Sequence, residues 1–179
     1  MSNKMSKEMR PVPIEKIKSN FQKVMDFNKY FGVKTHDFPQ KNITIDDPEL
    51  TKLRLDLILE EVNELKNAIK ENNFVEIIDG LSDILYVVYG AGSSFGIDLD
   101  KCFDIVHKSN MSKLCKTKKE AEETVQWYIK KYTNKELSYD SPSIRKSNDD
   151  KYWVVYNKST GKILKSINYT PVIFENINF

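Results

Sequence analysis

Two groups of acidic residues at helical spacing carry the clearest chemical signal in this sequence. In chain order they are Glu60, Glu61, Glu64, Glu76, Asp79 and Asp83. No Lys or Arg occurs between Lys70 and Lys101, so the second group has no positive partner close to it in the chain. Carboxylates without such a partner bind water, a distant basic side chain or a metal ion, and an all-oxygen donor set suits Mg²⁺. Two such groups facing each other would form a magnesium site.

A solvent-exposed helix face is the alternative interpretation of the same acids. Against it, Glu60 and Glu64 are like-charged residues four positions apart, as are Asp79 and Asp83. Each such pair destabilises a helix by about 0.2–0.5 kcal/mol. An EExxE pattern followed by DxxxD on the next antiparallel helix therefore favours the metal site.

Start and stop signals divide the chain up to residue 133 into five predicted helices. Their predicted ranges are 14–31, 48–71, 73–96, 98–114 and 117–132. Asp47 is the predicted N-cap of the second helix, with Pro48 at its first position. Gly96 ends the third helix. Thr117 and Glu120 form a capping box at the start of the fifth.

Apolar spacing predicts which faces of the second and third helices are buried. The second helix has a stripe of Leu55, Ile58, Val62, Leu65 and Ile69, and the third has a core side of Ile77, Ile78, Leu81, Ile84, Leu85 and Val88. Glu61 and Glu64 continue a second face whose earlier turns are apolar, so both are predicted to point into the bundle. Glu76, Asp79 and Asp83 fall within an arc of roughly 60° on the third helix. Both acidic groups are therefore predicted to be partly buried.

The sequence changes character after residue 133. Residues 134–150 are polar and predict a loop, and residues 152–156 and 162–166 predict the two strands of a β-hairpin. The predicted fold is an all-α helical bundle with a small C-terminal β-hairpin. We divide it into a flexible arm (1–12), a helical domain (13–133), and a linker with the hairpin (134–179). We expect the helical part to fold without the tail.

Composition excludes several classes of protein. Residues 41–104 contain 14 acidic and 6 basic residues, a net charge of −8, whereas residues 107–166 contain 7 acidic and 14 basic residues, a net charge of +7. An acidic centre beside a basic region could hold a cation and a polyanion together. The two cysteines lack the spacing of a zinc site, and the longest uncharged run, 84–97, is too short to cross a bilayer. We expect a cytoplasmic protein with no membrane partner.

The motif Glu60-Glu61-x-x-Glu64, followed by an acid pair ending in Asp-Ile-Leu-Tyr, resembles the all-α nucleoside triphosphate pyrophosphohydrolases. That superfamily includes MazG-type enzymes, dimeric dUTPases and phosphoribosyl-ATP pyrophosphohydrolase. Segments 79–90 (DGLSDILYVVYG) and 106–114 (VHKSNMSKL) are similar to its phage and viral members, for which the compartment would be the host cytoplasm. The resemblance covers roughly residues 14–115.

One position departs from the superfamily pattern. Its second motif is usually ExxD, and aligning that Asp on Asp83 places Gly80 where the Glu should stand. Asp79 could serve as the replacement ligand. Alternatively, Glu76-x-x-Asp79 is the motif and Asp83 lies outside it. We favour Asp79 and Asp83.

The resemblance implies a role for each acid and for three residues of the fourth helix. It implies Mg²⁺, with Mn²⁺ as a substitute, held by Glu61, Glu64, Asp79 and Asp83. Glu60, or whichever of Glu60 and Glu61 is not a ligand, would orient or deprotonate the attacking water, and the substrate would be bound by His107, Asn110 and Lys113. A lysine offers phosphate oxygens a point charge, and an asparagine offers both a donor and an acceptor.

The expected activity is hydrolysis of a (deoxy)nucleoside triphosphate to the monophosphate and pyrophosphate. Phosphoribosyl-ATP hydrolysis is the alternative with the same chemistry. A non-catalytic module that binds nucleotides or nucleic acid through the basic half is the alternative from another class, although nucleic acid is the less expected partner. Small residues in the run 84–97 would let helices approach closely, and the resemblance also implies a homodimer or homotetramer.

Overall fold

The computed structural model describes residues 17–174 and shows a mostly helical protein. Within that range there are six helices and one two-stranded antiparallel sheet near the C-terminus. The prediction of a helical bundle with a small C-terminal hairpin is therefore confirmed. The chain forms two compact units, one ending at Phe95 and the other beginning at Gly96. The predicted arm at 1–12 lies outside the described residues, and the predicted boundary at 133 stays a prediction.

The first unit contains four helices, which we number in chain order. They are α1 (Asn20–Tyr30), α2 (Ile43–Asp46), α3 (Pro48–Lys70) and α4 (Phe74–Phe95). The predicted start at Ile14 lies outside the described residues, and α1 begins at Asn20 because Ser19 and Gln22 cap it reciprocally. The short α2 lies between the first two predicted helices, where the sequence predicted no helix.

Local signals set the bounds of α3 and α4 as the sequence predicted. The Asp47 side chain accepts a hydrogen bond from the backbone N–H of Leu50, 3.0 Å away, with Pro48 at the first helical position. The Asn73 side chain accepts from the N–H of Glu76 at 3.4 Å. Gly96 follows α4 with φ of 73°, a conformation that residues with a Cβ rarely adopt.

The predicted apolar stripes of α3 and α4 are largely exposed, so the prediction that they form the core of this unit is wrong for most of their residues. The exposed members are Leu55, Val62 and Ile69 on α3, and Ile78, Leu81 and Leu85 on α4. The buried residues of α4 are instead small, namely Gly80, Gly90, Ala91, Gly92, Ser93 and Ser94. Sequence periodicity identified an apolar face correctly, but nothing in the described residues covers it.

The second unit contains two helices and the sheet. They are α5 (Leu99–Met111), α6 (Lys118–Thr133), β1 (Pro142–Lys146) and β2 (Trp153–Asn157). Its core consists of Cys115, Ala121, Tyr128, Val155 and Leu164, with Val125, Leu137, Tyr139, Ile144 and Trp153 packed around it. Residues of α6 thus share this core with residues that follow position 133, and the expectation that the helical part folds without the tail stays a prediction.

The hairpin pairs differently from the prediction. The partner of β2 is β1, with Ile144 opposite Val155, whereas residues 162–166 contact β2 through an isolated bridge between Tyr156 and Ile163. The turn that joins β1 to β2 is stabilised by Asp149, whose carboxylate accepts hydrogen bonds from the Ser147 hydroxyl and the Lys151 N–H. The polar residues that predicted a loop therefore form the turn of the hairpin.

Residues 165–170 connect the helices of the second unit. Ile167 N–H donates to Thr124 Oγ1 on α6 at 3.2 Å, and Thr170 N–H donates to Ser112 Oγ beside the end of α5 at 2.9 Å. The Ser109 hydroxyl on α5 donates to the Thr170 carbonyl at 2.8 Å. Across residues 17–174, no helix combines the length and apolar character that a membrane span requires.

Candidate metal and nucleotide site

Five of the predicted site residues lie on the antiparallel helices α3 and α4. Glu60, Glu61 and Glu64 lie on α3, and Asp79 and Asp83 lie on α4. Glu61 and Asp83 are half-buried, whereas the other three are exposed. The prediction that both Glu61 and Glu64 point inward is therefore confirmed for Glu61 and wrong for Glu64. Position 64 lies beside the exposed stripe of α3, which leaves its carboxylate in solvent.

Glu61 is the electrostatic centre of this group. Desolvation by burial raises the pKa of its carboxyl, and the negative charges of Asp83, Glu64, Glu60 and Asp79 raise it further, in that order. Both causes disfavour the charged form. No ion pair formed within residues 17–174 includes any of these five carboxylates. The structure thus brings acids from two helices together without a basic side chain to compensate them.

Gly80 lets the two helices approach closely at the level of the acids. A Cβ built at Gly80 would lie 3.2 Å from both the Cα and the Cβ of Leu65, which is tighter than nine in ten real contacts of a Cβ. Position 80 therefore faces the backbone of α3. A glycine at this position, where the superfamily usually has Glu, is consistent with the close approach of α3 and α4.

The chemistry of the donor atoms suits Mg²⁺, but their positions are not those of a formed metal site. All five side chains offer hard oxygen ligands, and their mutual repulsion would be relieved by a cation. Within residues 17–174, however, no three acidic, His or Cys side chains converge closely enough to hold one ion. A bound ion would have to draw the exposed carboxylates of Glu64 and Asp79 toward Glu61 by changes of side-chain rotamer.

The three predicted substrate-binding residues lie in the second unit, at the end of α5. His107 and Asn110 are exposed on the last turns of the helix, and Lys113 follows its end. Lys113 Nζ donates a 2.7 Å hydrogen bond to Asn110 Oδ1, so an amide and an ammonium are held side by side. The contacts of Thr170 with Ser109 and Ser112 brace this same turn, a role that sequence reasoning missed.

Three polar residues of α1 and the segment after it, Asn28, Lys34 and His36, serve the structure of the first unit. Asn28 is buried and donates to Ser93 Oγ at 3.0 Å, Lys34 pairs with Asp47 at 2.6 Å, and His36 Nδ1 donates to the Ser94 carbonyl at 2.6 Å. Phe38 is exposed.

A cavity lies between α1 and α4, next to the acids. Its volume is about 230 Å³, and its lining includes Lys23, Ser82, Tyr86 and Tyr89. Ser82 directly precedes Asp83. Aromatic rings with one basic side chain can bind a planar ring next to an anionic group. Sequence reasoning missed this cavity because its lining comes from two helices that are far apart in the chain.

Comparison with known proteins places this geometry in a family. The family described as phosphoribosyl-ATP pyrophosphohydrolase matches residues 24–110, a range that includes all five acids, His107 and Asn110 and ends before Lys113. A protein of Acanthamoeba polyphaga mimivirus, named Uncharacterized protein L479, is 31% identical over 233 aligned positions, which cover 83% of this chain and 91% of the viral protein. These matches confirm the resemblance and indicate a nucleotide pyrophosphohydrolase type of function. The chain belongs to the all-α nucleoside triphosphate pyrophosphohydrolase superfamily, through a domain of the phosphoribosyl-ATP pyrophosphohydrolase family.

Proposed function

We propose that this protein is a Mg²⁺-dependent hydrolase that cleaves a nucleoside triphosphate between the α and β phosphates. The observation that carries the proposal is the group of uncompensated carboxylates around Glu61 on two closely packed helices. The negative charges of Asp83, Glu64, Glu60 and Asp79 disfavour the charged form of Glu61, and a bound cation would relieve this repulsion. Family membership supports a nucleotide as the molecule that the cation would bring to the site.

Four of the acids would hold the ion, namely Glu61, Glu64, Asp79 and Asp83. Mg²⁺, or Mn²⁺ in its place, would neutralise and polarise the phosphate chain when bound. Glu60 lies beside Glu61 and is exposed, so its carboxylate is free to orient a water molecule and accept its proton. His107, Asn110 and Lys113 are proposed to bind the phosphates and the sugar.

The reaction needs little covalent chemistry from the protein. The water oxygen forms a bond to one of the two phosphorus atoms that flank the scissile bond, and its proton goes to Glu60. The bond from that phosphorus to the bridging oxygen breaks, and its electron pair leaves with the bridging oxygen, so that the products are the monophosphate and pyrophosphate. Catalysis of such a transfer rests on positioning and charge neutralisation.

Phosphoribosyl-ATP is the second candidate substrate, and the description of the matching family favours it. Its cleavage breaks the same bond and releases the same pyrophosphate. The two candidates differ in the nucleoside part, because phosphoribosyl-ATP carries a second ribose phosphate that would need its own binding groups. A direct comparison of the two substrates separates them.

A second copy of the chain is the partner that we propose for the exposed stripes. On α4, Phe74, Ile78, Leu81 and Leu85 follow one another at the spacing of a coiled-coil seam, and Leu55, Leu59 and Val62 do so on α3. Two antiparallel helices with such seams can bury them as a four-helix bundle with a second pair. A symmetric dimer, or a tetramer built from dimers, would cover both seams.

The test is to measure pyrophosphate release from a panel of NTPs, dNTPs and phosphoribosyl-ATP, with Mg²⁺ and with EDTA. We expect one class of substrate to yield a monophosphate and pyrophosphate only when Mg²⁺ is present. Glu64→Ala and Asp83→Ala should each lower kcat by about a hundredfold or more, because each removes charge stabilisation at the reacting phosphates. Calorimetric titration with Mn²⁺ should show weaker metal binding in both variants.

Asp56→Asn is the matched control for these acids. Asp56 also lies on α3, but it is exposed and pairs with Lys52 one turn away. Its replacement should leave turnover and Mn²⁺ affinity near the wild-type values, since exposed pairs contribute little. Near-normal activity of both Glu64→Ala and Asp83→Ala would refute the site. Nucleotide binding without turnover of any substrate would instead favour the non-catalytic binding module.

A further inference from the structure

Arg54 is a buried guanidinium without a partner. It lies on α3 with 8% of its surface exposed, and its Nε has no hydrogen-bond acceptor. No ion pair or hydrogen bond joins its guanidinium to a described residue between 17 and 174. A buried charge without a partner is strongly unfavourable, and nearly all buried polar groups in proteins are satisfied. The Arg54 side chain therefore needs an anionic partner, and the described residues do not supply one.

The other buried polar side chains of the first unit are satisfied, which sets Arg54 apart. Asn28 Nδ2 donates to Ser93 Oγ at 3.0 Å, and Ser94 Oγ donates to the Lys34 carbonyl at 2.9 Å. The Ser93 hydroxyl in turn lies 2.8 Å from the Met25 sulfur. The neutral buried side chains of the first unit thus have hydrogen-bond partners, whereas the charged side chain of Arg54 has none among the described residues.

The residue opposite the guanidinium on α4 is a glycine, which has no side chain. A Cβ built at Gly90 on α4 would lie 3.5 Å from Nη1 of Arg54, and it would meet no other neighbouring side chain or backbone atom within 4 Å. The end of the Arg54 side chain therefore lies beside the backbone of α4 at Gly90.

The position of Arg54 relates it to the acids. Arg54 and Glu61 are seven residues apart on α3, which puts them on one helix face at an axial separation of about 10.5 Å. Gly90 and Asp83 have the same separation on α4. The facing sides of α3 and α4 thus present negative side chains at one level and a positive one two turns away. A phosphate chain is the kind of group that spans such a distance and meets a cation at each end.

We propose that Arg54 binds the pyrophosphate end of the substrate. This inference rests on the proposed function, since it takes the acids as the end of the site that receives the cation. A planar guanidinium donates paired hydrogen bonds to phosphate oxygens. Arg54 would donate these hydrogen bonds to the pyrophosphate group, whose negative charge they stabilise.

Calorimetric titration of the full chain with inorganic pyrophosphate, in a fixed concentration of Mg²⁺, tests the proposal. Arg54→Gln should weaken pyrophosphate binding at least tenfold, while binding of inorganic phosphate changes much less. Arg54→Lys keeps the charge but loses the paired hydrogen bonds, so its pyrophosphate affinity should lie between those of the wild type and Arg54→Gln. Arg145→Gln replaces an exposed arginine of β1 in the other unit and should leave pyrophosphate affinity unchanged.

Circular dichroism and thermal melting establish that Arg54→Gln is folded. We expect it to be at least as stable as the wild type, because the substitution removes an unpaired buried charge. Equal pyrophosphate affinity in Arg54→Gln and the wild type would overturn the proposal. So would a change of sedimentation coefficient in Arg54→Gln, since that result would show that Arg54 pairs with a carboxylate of a second copy.

The proposal and the proposed function can fail separately. Pyrophosphate binding that depends on Arg54 in a protein that hydrolyses no nucleotide would uphold the role of Arg54 and reject the hydrolase. Nucleotide hydrolysis with the same KM and the same product inhibition by pyrophosphate in Arg54→Gln would uphold the hydrolase and reject the role of Arg54.

Discussion

The close contact at Gly80 makes a sharp prediction about stability. Gly80→Ala should gain about 1 kcal/mol from helix propensity, because alanine is the better helix former. The new methyl group would lie 3.2 Å from the Cα of Leu65, however, and a backbone atom cannot move away as a flexible side chain can. Overpacking of this kind costs about 1–3 kcal/mol. We therefore expect a net loss of about 1 kcal/mol in the free energy of unfolding.

Gly90→Ala is the matched control on the same helix. Its methyl group would lie 3.5 Å from Nη1 of Arg54, an ordinary van der Waals contact with the end of a flexible side chain. This variant should gain most of the 1 kcal/mol of helix propensity without a packing cost. The difference between the two variants then isolates the packing term, about 1–3 kcal/mol.

Urea denaturation followed by circular dichroism measures both variants. Protein concentrations must be equal, because assembly would make stability depend on concentration. For a chain of this length, 1 kcal/mol corresponds to a shift of about 2–4 °C in Tm. Equal stability of the two variants would refute the close approach of α3 and α4 at Leu65. Gly80→Ala should also weaken Mn²⁺ binding, because separating the helices separates Asp79 from Glu64.

Three further predictions concern the second unit and assembly. Leu164→Ala should destabilise the second unit by about 2–5 kcal/mol in urea denaturation monitored by tryptophan fluorescence, because Leu164 is 2% exposed in its core. Burial alone would raise the pKa of Glu120, but hydrogen bonds from Ser166 and the Lys116 N–H hold that pKa below its usual value. Its stabilisation is therefore present above the unfolded pKa near 4.5 and is lost as pH falls through the lower folded pKa, so Glu120→Gln should flatten the decline of Tm in acid. Leu81→Lys should lower the sedimentation coefficient of an assembled protein, whereas Phe38→Lys, at an exposed loop position, should not.

Helix bounds were predictable because the signals that set them are local. Asp47, Asn73 and Thr117 each accept a hydrogen bond from an N–H three residues later, so the relevant partners lie within four residues of sequence. Gly96 has a positive φ at the end of α4, which also depends only on its own backbone. Interactions of this range can be read from sequence without knowledge of the fold.

Strand pairing was not predictable in the same way, because two segments competed for one partner. Residues 142–146 and 162–166 both flank β2, and both combine apolar and polar residues in a way that a strand tolerates. The turn around Asp149 favours pairing of β2 with residues 142–146, since its hydrogen bonds bring Lys146 opposite Trp153. The later segment contributes Leu164 to the core instead.

Periodicity also could not show what covers an apolar face. Leu55, Val62 and Leu81 follow the spacing of a buried stripe, yet they are 56%, 43% and 52% exposed. The residues that pack α4 against its neighbours are Gly80 and the run from Gly90 to Ser94, whose small side chains give almost no signal in a hydrophobic pattern. Arg54 was missed for the related reason that a basic residue within a helix is usually exposed.

The acids around Glu61 and the guanidinium of Arg54 both lack partners of opposite charge among the described residues. Glu61 and Arg54 have opposite charges on one helix face, but an axial separation of about 10.5 Å keeps them from neutralising each other. A cation alone would neutralise only the acids around Glu61, and an anion alone would neutralise only Arg54. A magnesium–nucleotide complex carries both charges, the cation for the acids and the phosphates for the guanidinium. We therefore expect Mg²⁺ and pyrophosphate to bind cooperatively, each raising the affinity of the other by the same factor, as linkage requires.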